Sequence, residues 1–133
     1  MFVALKDGLS SVREIATAYD ISRNHLVKVV HRLSQLGYIR TYQGKGGGME
    51  LALPAGDINI GEVVRKTESL ALVECLCPQG GSCVITRACV LKSVLIKARN
   101  AFLHELDKHT LADLVTPGAR LSGLLAANAS LKA

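Results

Sequence analysis

Residues 11–37 read SVREIATAYDISRNHLVKVVHRLSQLG, and the fold is decided here. Ser11 and Glu14 spell a capping box, and Val12, Ile15, Ala16 and Tyr19 follow at helical spacing, so a short helix is expected to run to about Tyr19. Asp20-Ile21-Ser22 is a tight polar turn. Ser22 then caps a second helix whose Leu26, Val29, Val30, Leu33 and Leu36 share one apolar face, and Gly37 stands where a left-handed residue ends it. Two helices joined by so short a turn, the second one basic, read as a helix-turn-helix.

The flanking sequence completes the unit. Tyr38 to Tyr42 and Met49 to Leu53 alternate like strands, with Gln43-Gly44-Lys45-Gly46-Gly47-Gly48 between them, which predicts a hairpin with a glycine-rich tip. A helix-turn-helix followed directly by a hairpin is a winged helix, closed here by Pro54. Asn59 with Glu62 opens a short helix to about Lys66. Pro78-Gln79-Gly80-Gly81-Ser82 forces a loop, and from Cys89 onward Leu91, Val94, Leu95, Ala98, Ala101, Phe102 and Leu106 recur at three and four residues, predicting a long helix. That stripe has few partners in so small a chain, so pairing with the same helix of a second copy is the economical way to bury it. Thr110 to Asp113 caps a further short helix, Pro117-Gly118 breaks it, and the end from Asn128 reads as frayed. The expected fold class is mainly α with a small β-hairpin: a winged helix-turn-helix plus a long dimerisation helix. Its expected organisation is a DNA-binding domain over 1–56, a linking helix and cysteine loop over 57–90, a dimerisation helix over 89–116 and a C-terminal tail over 117–133.

Composition narrows the function. The chain has 133 residues, 49% of them hydrophobic and 20% charged, so it is a folded protein of one or two small domains. It has no apolar run long enough for a membrane helix, and Met1-Phe2-Val3-Ala4-Leu5 is too short for a signal-peptide core, so a cytoplasmic location is expected. Sixteen Lys and Arg against eleven Asp and Glu give +5. Their distribution is more informative, because no acidic residue lies between Asp20 and Glu50 while Arg23, Lys28, Arg32, Arg40 and Lys45 fall in that gap. Two Phe, three Tyr and no Trp leave little for a base-stacking platform, which disfavours single-stranded nucleic acid as the partner.

On a helix opening at Ser22, the residues Arg23, Asn24, His25 and Lys28 lie on the first turns and away from the core face, where base-edge readers sit. Arg23 suits guanine and Asn24 suits adenine. Arg40, Lys45, Gly46 and Gly47 on the wing fit backbone or minor-groove contacts. Double-stranded DNA is therefore the expected partner, against the plainer reading of a solvated basic face. The glycine run is no nucleotide-binding loop, since it lacks a following helix and a Lys-Ser or Lys-Thr pair. No Ser-His-Asp set or carboxylate pair is readable, and an enzyme is not expected.

All four cysteines, Cys75, Cys77, Cys83 and Cys89, fall in one short segment. In a reducing compartment that favours a metal or cluster site over disulfides. Their spacing is neither the paired knuckle of structural zinc sites nor a redox pair, and three thiolates at the start of a helix suit a compact iron-sulfur cluster with one open position. Four-cysteine zinc and unligated buried thiols remain the alternatives.

Taken in order, Ser22 to Val30, Leu36-Gly37-Tyr38-Ile39, Gly44 to Gly48, Ile60-Gly61-Glu62-Val63-Val64-Arg65, Leu72-Val73-Glu74-Cys75, Cys83 and Ala88 to Lys92 resemble the IscR/NsrR family of bacterial winged-helix iron-sulfur regulators. The resemblance spans the chain from Met1 to about Val115. It implies a homodimeric repressor holding a 4Fe-4S cluster, with 2Fe-2S as the alternative, that leaves operator DNA when nitric oxide reaches the cluster. It implies Cys75, Cys83 and Cys89 as ligands, with Cys77 matching none of them and standing as a substitute fourth ligand. Asn24 and His25 match the family's recognition helix, and Gly46-Gly47-Gly48 its wing. The iron-sulfur-biogenesis branch carries a histidine three residues after its last cysteine; Lys92 occupies that position here, which favours the nitric-oxide branch over sensing of iron or cluster status. Family chains also carry a longer first helix that supplies, in some members, an acidic ligand. Met1 to Leu5 reads as its last turn only, and Asp7, in the loop after it, is not expected to serve as that ligand.

Overall fold

The computed structural model describes residues 1–76 and 82–131, which form two compact units. One comprises Met1–Ile58 and the chain from Thr110 onward, the other Asn59–His109.

In the first unit, α1 (Phe2–Leu5) precedes Ser10, which is fully buried and bridges to Met49 through N–H···O bonds of 2.9 and 2.7 Å. The capping box closes as expected on α2 (Val12–Tyr19): Ser11 Oγ accepts from the Glu14 amide at 3.2 Å, and Glu14 accepts from the Ser11 amide at 2.7 Å. Lys6 Nζ also donates to Glu14 at 2.6 Å. That ammonium, then the Ser11 amide, hold the Glu14 carboxyl at about 2. Asp20 turns the chain in the left-handed region, φ 56°, and Ser22 caps α3 (Arg23–Gln35) through the His25 amide at 3.4 Å. Gly37 ends the helix at φ 78°.

The hairpin is β1 (Ile39–Tyr42) against β2 (Gly48–Leu51), antiparallel, with Ile39 opposite Leu51 and Arg40 opposite Glu50. Tyr38 lies outside the ladder but is buried, and its carbonyl accepts from Ala52 at 3.0 Å. At the tip Gly44 and Gly46 have φ of 98° and 85°, and a Cβ on Gly47 would strike the Tyr42 carbonyl, so the glycines are steric necessities there. Ile15, Leu26, Val30, Ile39 and Met49 form the core, flanked by Phe2, Val3, Val12, Ala16, Leu33 and Leu51. Val29, expected on the core face, is 37% exposed because the apolar face of α3 is wider than the helix and hairpin packed on it.

After a short 3-10 turn (Ala55–Asp57), the chain enters the second unit, and on its return it forms α6 (Leu111–Leu114), capped by Thr110 and Asp113. The end is not frayed from Asn128. Gly118–Ser130 is α7, rich in Ala and Leu and packed on α1 and α2, and Asn128 Nδ2 donates to the Ala18 carbonyl at 2.8 Å.

The second unit pairs α4 (Ile60–Thr67) with α5 (Val90–Asp107). Asn59 Oδ1 caps α4 at the Glu62 amide, 3.0 Å, while its Nδ2 donates to the Asp107 carbonyl at 2.7 Å. Both terminal nitrogens of the Arg65 guanidinium, Nη1 and Nη2, donate to the Asp107 carboxylate. Gly61 permits this approach, since a Cβ there would overlap Asp107 Oδ1 and lie 2.8 Å from Arg65 Nη1. The Arg65 bond holds the Asp107 carboxyl below its ordinary value of 3.8, so the pair adds stability above that pH and loses it as acid protonates Asp107. Gly61→Ala is expected to push the carboxylate off the guanidinium and raise the Asp107 pKa toward the ordinary value, as read by NMR titration of the side-chain carboxyl. An unchanged titration would show that the close approach is not what sustains the pair.

Candidate nucleic-acid interface and cysteine site

The two faces of α3 divide the work of the helix. Leu26 and Val30 are buried against α2 and the hairpin, while Ser22, Arg23, Asn24, His25 and Lys28 are all exposed on its first turns. Tyr38 N donates to the Leu33 carbonyl at 3.0 Å, tying the hairpin to the end of the helix. Arg40, Lys45 and Gly46 on that hairpin are exposed and Gly47 is half-buried. All nine residues expected to contact DNA therefore lie on one unit and at its surface. Two neighbours escaped the sequence reading: Tyr42 OH donates to Glu50 Oε1 at 2.6 Å on the wing. Strand alternation places them on one face, but only the fold shows that they meet.

The cysteines lie in the second unit. Cys75 is half-buried in the 3-10 turn Glu74–Leu76, which packs on α5. Cys83 is exposed, and its carbonyl accepts from the Thr86 amide at 3.2 Å and hydroxyl at 2.7 Å, fixing the following turn. Cys89 is half-buried at the N-cap of α5. These three are free thiols; Cys77 lies outside the described residues. Among the described residues no three His, Cys, Asp or Glu side chains converge on a common metal position, so the structure does not bring the three thiols together. The donor set nonetheless suits a thiolate-bound, negatively charged group. No side chain caps the first amides of α5, and no acidic residue occupies its first turn. Around the loop Val84 is 96% and Val90 75% exposed, an apolar surface left uncovered in the single chain.

A capped helix-turn-helix, an exposed basic first turn and a glycine-tipped hairpin packed beside it define a winged-helix, DNA-binding regulator of transcription. A family profile described as "Iron-dependent Transcriptional regulator", Rrf2, matches residues 1–117. The chain belongs to the Rrf2 family. It is 54% identical over 108 residues to the HTH-type transcriptional regulator NsrR of Bacillus subtilis (strain 168), covering 80% of this chain and 74% of that one. It is 46% identical over 128 residues to the NsrR of Halalkalibacterium halodurans, covering 94% and 88%. Among solved structures it is similar to T. potens IscR, with TM-score 0.66 and 26% identity over 87% of this chain and 77% of that one. It is likewise similar to Staphylococcus aureus CymR, with TM-score 0.65 and 29% identity over 86% and 87%. These relatives regulate transcription, and the chain is a regulator rather than an enzyme. No helix among the described residues is long and apolar enough to cross a membrane.

Proposed function

We propose that this chain is a cytoplasmic, homodimeric repressor whose affinity for operator DNA is set by an iron-sulfur cluster that responds to nitric oxide. The observation that carries the reading is the set of three free thiols, Cys75, Cys83 and Cys89, in a chain that shares 46% to 54% identity with NsrR regulators. We assign these thiols as the cluster ligands, with Cys77 as the candidate for the remaining position. A 4Fe-4S cluster is favoured and 2Fe-2S is the alternative; when bound, either would supply an iron-sulfur centre accessible to a small reactive molecule. In this reading residues 1–56 bind DNA, 57–90 carry the sensor and 89–116 the dimerisation helix, with 117–133 as the C-terminal segment. Lys92 in place of a histidine supports nitric oxide over iron or cluster status as the signal.

On the DNA side, Ser22 fixes the start of α3 so that Arg23, Asn24, His25 and Lys28 meet base edges, while Arg40, Lys45, Gly46 and Gly47 meet the sugar-phosphate backbone. Arg23→Ala is expected to cost about 1–3 kcal/mol on the operator and to relax base preference at one position. Lys45→Ala is expected to weaken all duplexes alike and to reduce the salt slope by about 1. Titrations at several salt concentrations separate the two, and a uniform loss for Arg23→Ala would remove it from base reading.

Anaerobic purification tests the whole assignment. Iron and acid-labile sulfide near four per monomer, with an absorption band bleached by nitric oxide, is the expected result for the favoured cluster. Colourless protein with stoichiometric zinc would replace it by a zinc-stabilised DNA-binding or interaction module.

A further inference from the structure

Glu50 is the sole carboxylate between Asp20 and Asp57, so the recognition helix and wing carry one negative side chain. A carboxylate there repels the phosphates that its neighbours attract, and its placement is specific. Arg40 stands directly opposite Glu50 in the ladder, and Tyr42, two residues along the same strand, shares their face. The residue opposite Tyr42 is Gly48, so no side chain keeps the phenol from Glu50 across the diagonal, and the hydroxyl donates to Glu50 Oε1 at 2.6 Å. The other face of the hairpin is the buried one, with Ile39 and Met49 in the core. Tyr42 is 46% exposed, and Arg40 is exposed, so the three groups occupy the outer face of the wing. The phenol's pKa is raised chiefly by its bond to Glu50 and is opposed by Arg40, in keeping with all three groups lying close together.

We propose that Glu50, pinned by Tyr42, is a specificity-determining residue of the DNA interface. Its fixed negative charge disfavours any binding register that sets a phosphate against Glu50 rather than against Arg40 beside it. A protein sliding on random duplex meets phosphates in every register and feels the repulsion. On its operator the base contacts of α3 hold one register, in which Arg40 takes the backbone contact and the Glu50 carboxylate, held by Tyr42, faces no phosphate, so the charge costs little there. The inference rests on the DNA-binding reading and adds a residue whose effect is on selectivity rather than on affinity.

The test compares wild type, Glu50→Gln and Tyr42→Phe, each purified anaerobically at full length, on a duplex selected by the wild-type protein from a random pool and on a scrambled duplex of the same composition. Glu50→Gln keeps an acceptor for Tyr42 but removes the charge. It is expected to bind the scrambled duplex about five-fold more tightly while the selected duplex changes by less than about two-fold. Tyr42→Phe keeps the charge but frees it to swing away, and a smaller loss of selectivity in the same direction is expected. Equal tightening on both duplexes, or no change on either, would overturn the proposal. Loss of binding to both duplexes by both variants, with a lowered melting temperature, would reduce the Tyr42–Glu50 bond to a strut of the hairpin and also overturn it. A wild-type protein that does not separate selected from scrambled duplex would instead defeat the DNA-binding reading beneath it.

Discussion

Cys83→Ala is expected to give a colourless protein that binds operator DNA identically with and without nitric oxide. The variant discriminates well because Cys83 is the exposed member of the set, so its truncation removes the proposed ligand without opening a cavity. Its structural contribution is through its carbonyl, which accepts from the Thr86 amide and hydroxyl, and alanine keeps that carbonyl. Thermal unfolding of the variant should therefore match that of metal-free wild type, while iron content falls to background. Cys75→Ala and Cys89→Ala should lose the cluster too, with some added loss of stability, since both residues are half-buried. Cys77→Ala separates the ligand models: retained colour with an altered spectrum would make Cys77 the fourth ligand, and an unchanged spectrum would exclude it. A Cys83→Ala protein that still released DNA on exposure to nitric oxide would refute the cluster as the sensor.

The parts of this fold that were legible in the sequence are those fixed by neighbours in the chain. Ser11 with Glu14, Ser22 before Arg23, and Thr110 with Asp113 are short-range caps, and each forms the bond its spacing predicts. Gly37 ends α3 at a positive φ because nothing else fits there cheaply, which a sequence displays openly. Contacts between distant segments were not legible. Ser10 joins the hairpin through one bridge to Met49, too short to leave an alternating pattern. Arg65 and Asp107 are 42 positions apart, and nothing in either local sequence names the other. The helix α7 hid for a different reason: residues 118–130 are mostly small and apolar, without the charged face that makes an amphipathic helix easy to see, and the segment follows a Pro-Gly break. The cysteine site was legible in residue type and order only. Which of the four would serve as ligands is what the family resemblance implies, and among the described residues no three donor side chains converge on one position.

The second large effect is expected from Val94→Glu on α5. The apolar stripe read from the sequence is largely uncovered in the single chain: Leu91 is 62%, Val94 52% and Phe102 54% exposed, while Leu103, on another face, is buried within its own unit. A helix with one apolar face turned to its own unit and another left bare needs a second surface, and a symmetric pairing of the same helix supplies it without any further partner. In such a dimer Val94 lies near its own symmetry mate or a neighbouring residue of the stripe, so each substitution acts twice. Fully burying one such side chain contributes about 1.5–3 kcal/mol and Val94 has about half of its surface left to bury, so the two copies together forfeit roughly 1.5–3 kcal/mol before the cost of burying two carboxylates is added. The dimer dissociation constant should then rise by at least about ten-fold, a shift read by sedimentation over a concentration series. Because position 94 is half exposed in the monomer, far-ultraviolet circular dichroism should be unchanged. Operator affinity should fall steeply, since two half-sites bound by one dimer become two separate and weaker events. A Val94→Glu protein that stayed dimeric and bound its operator normally would place the dimer contact on another surface and leave the bare stripe of α5 to a different partner.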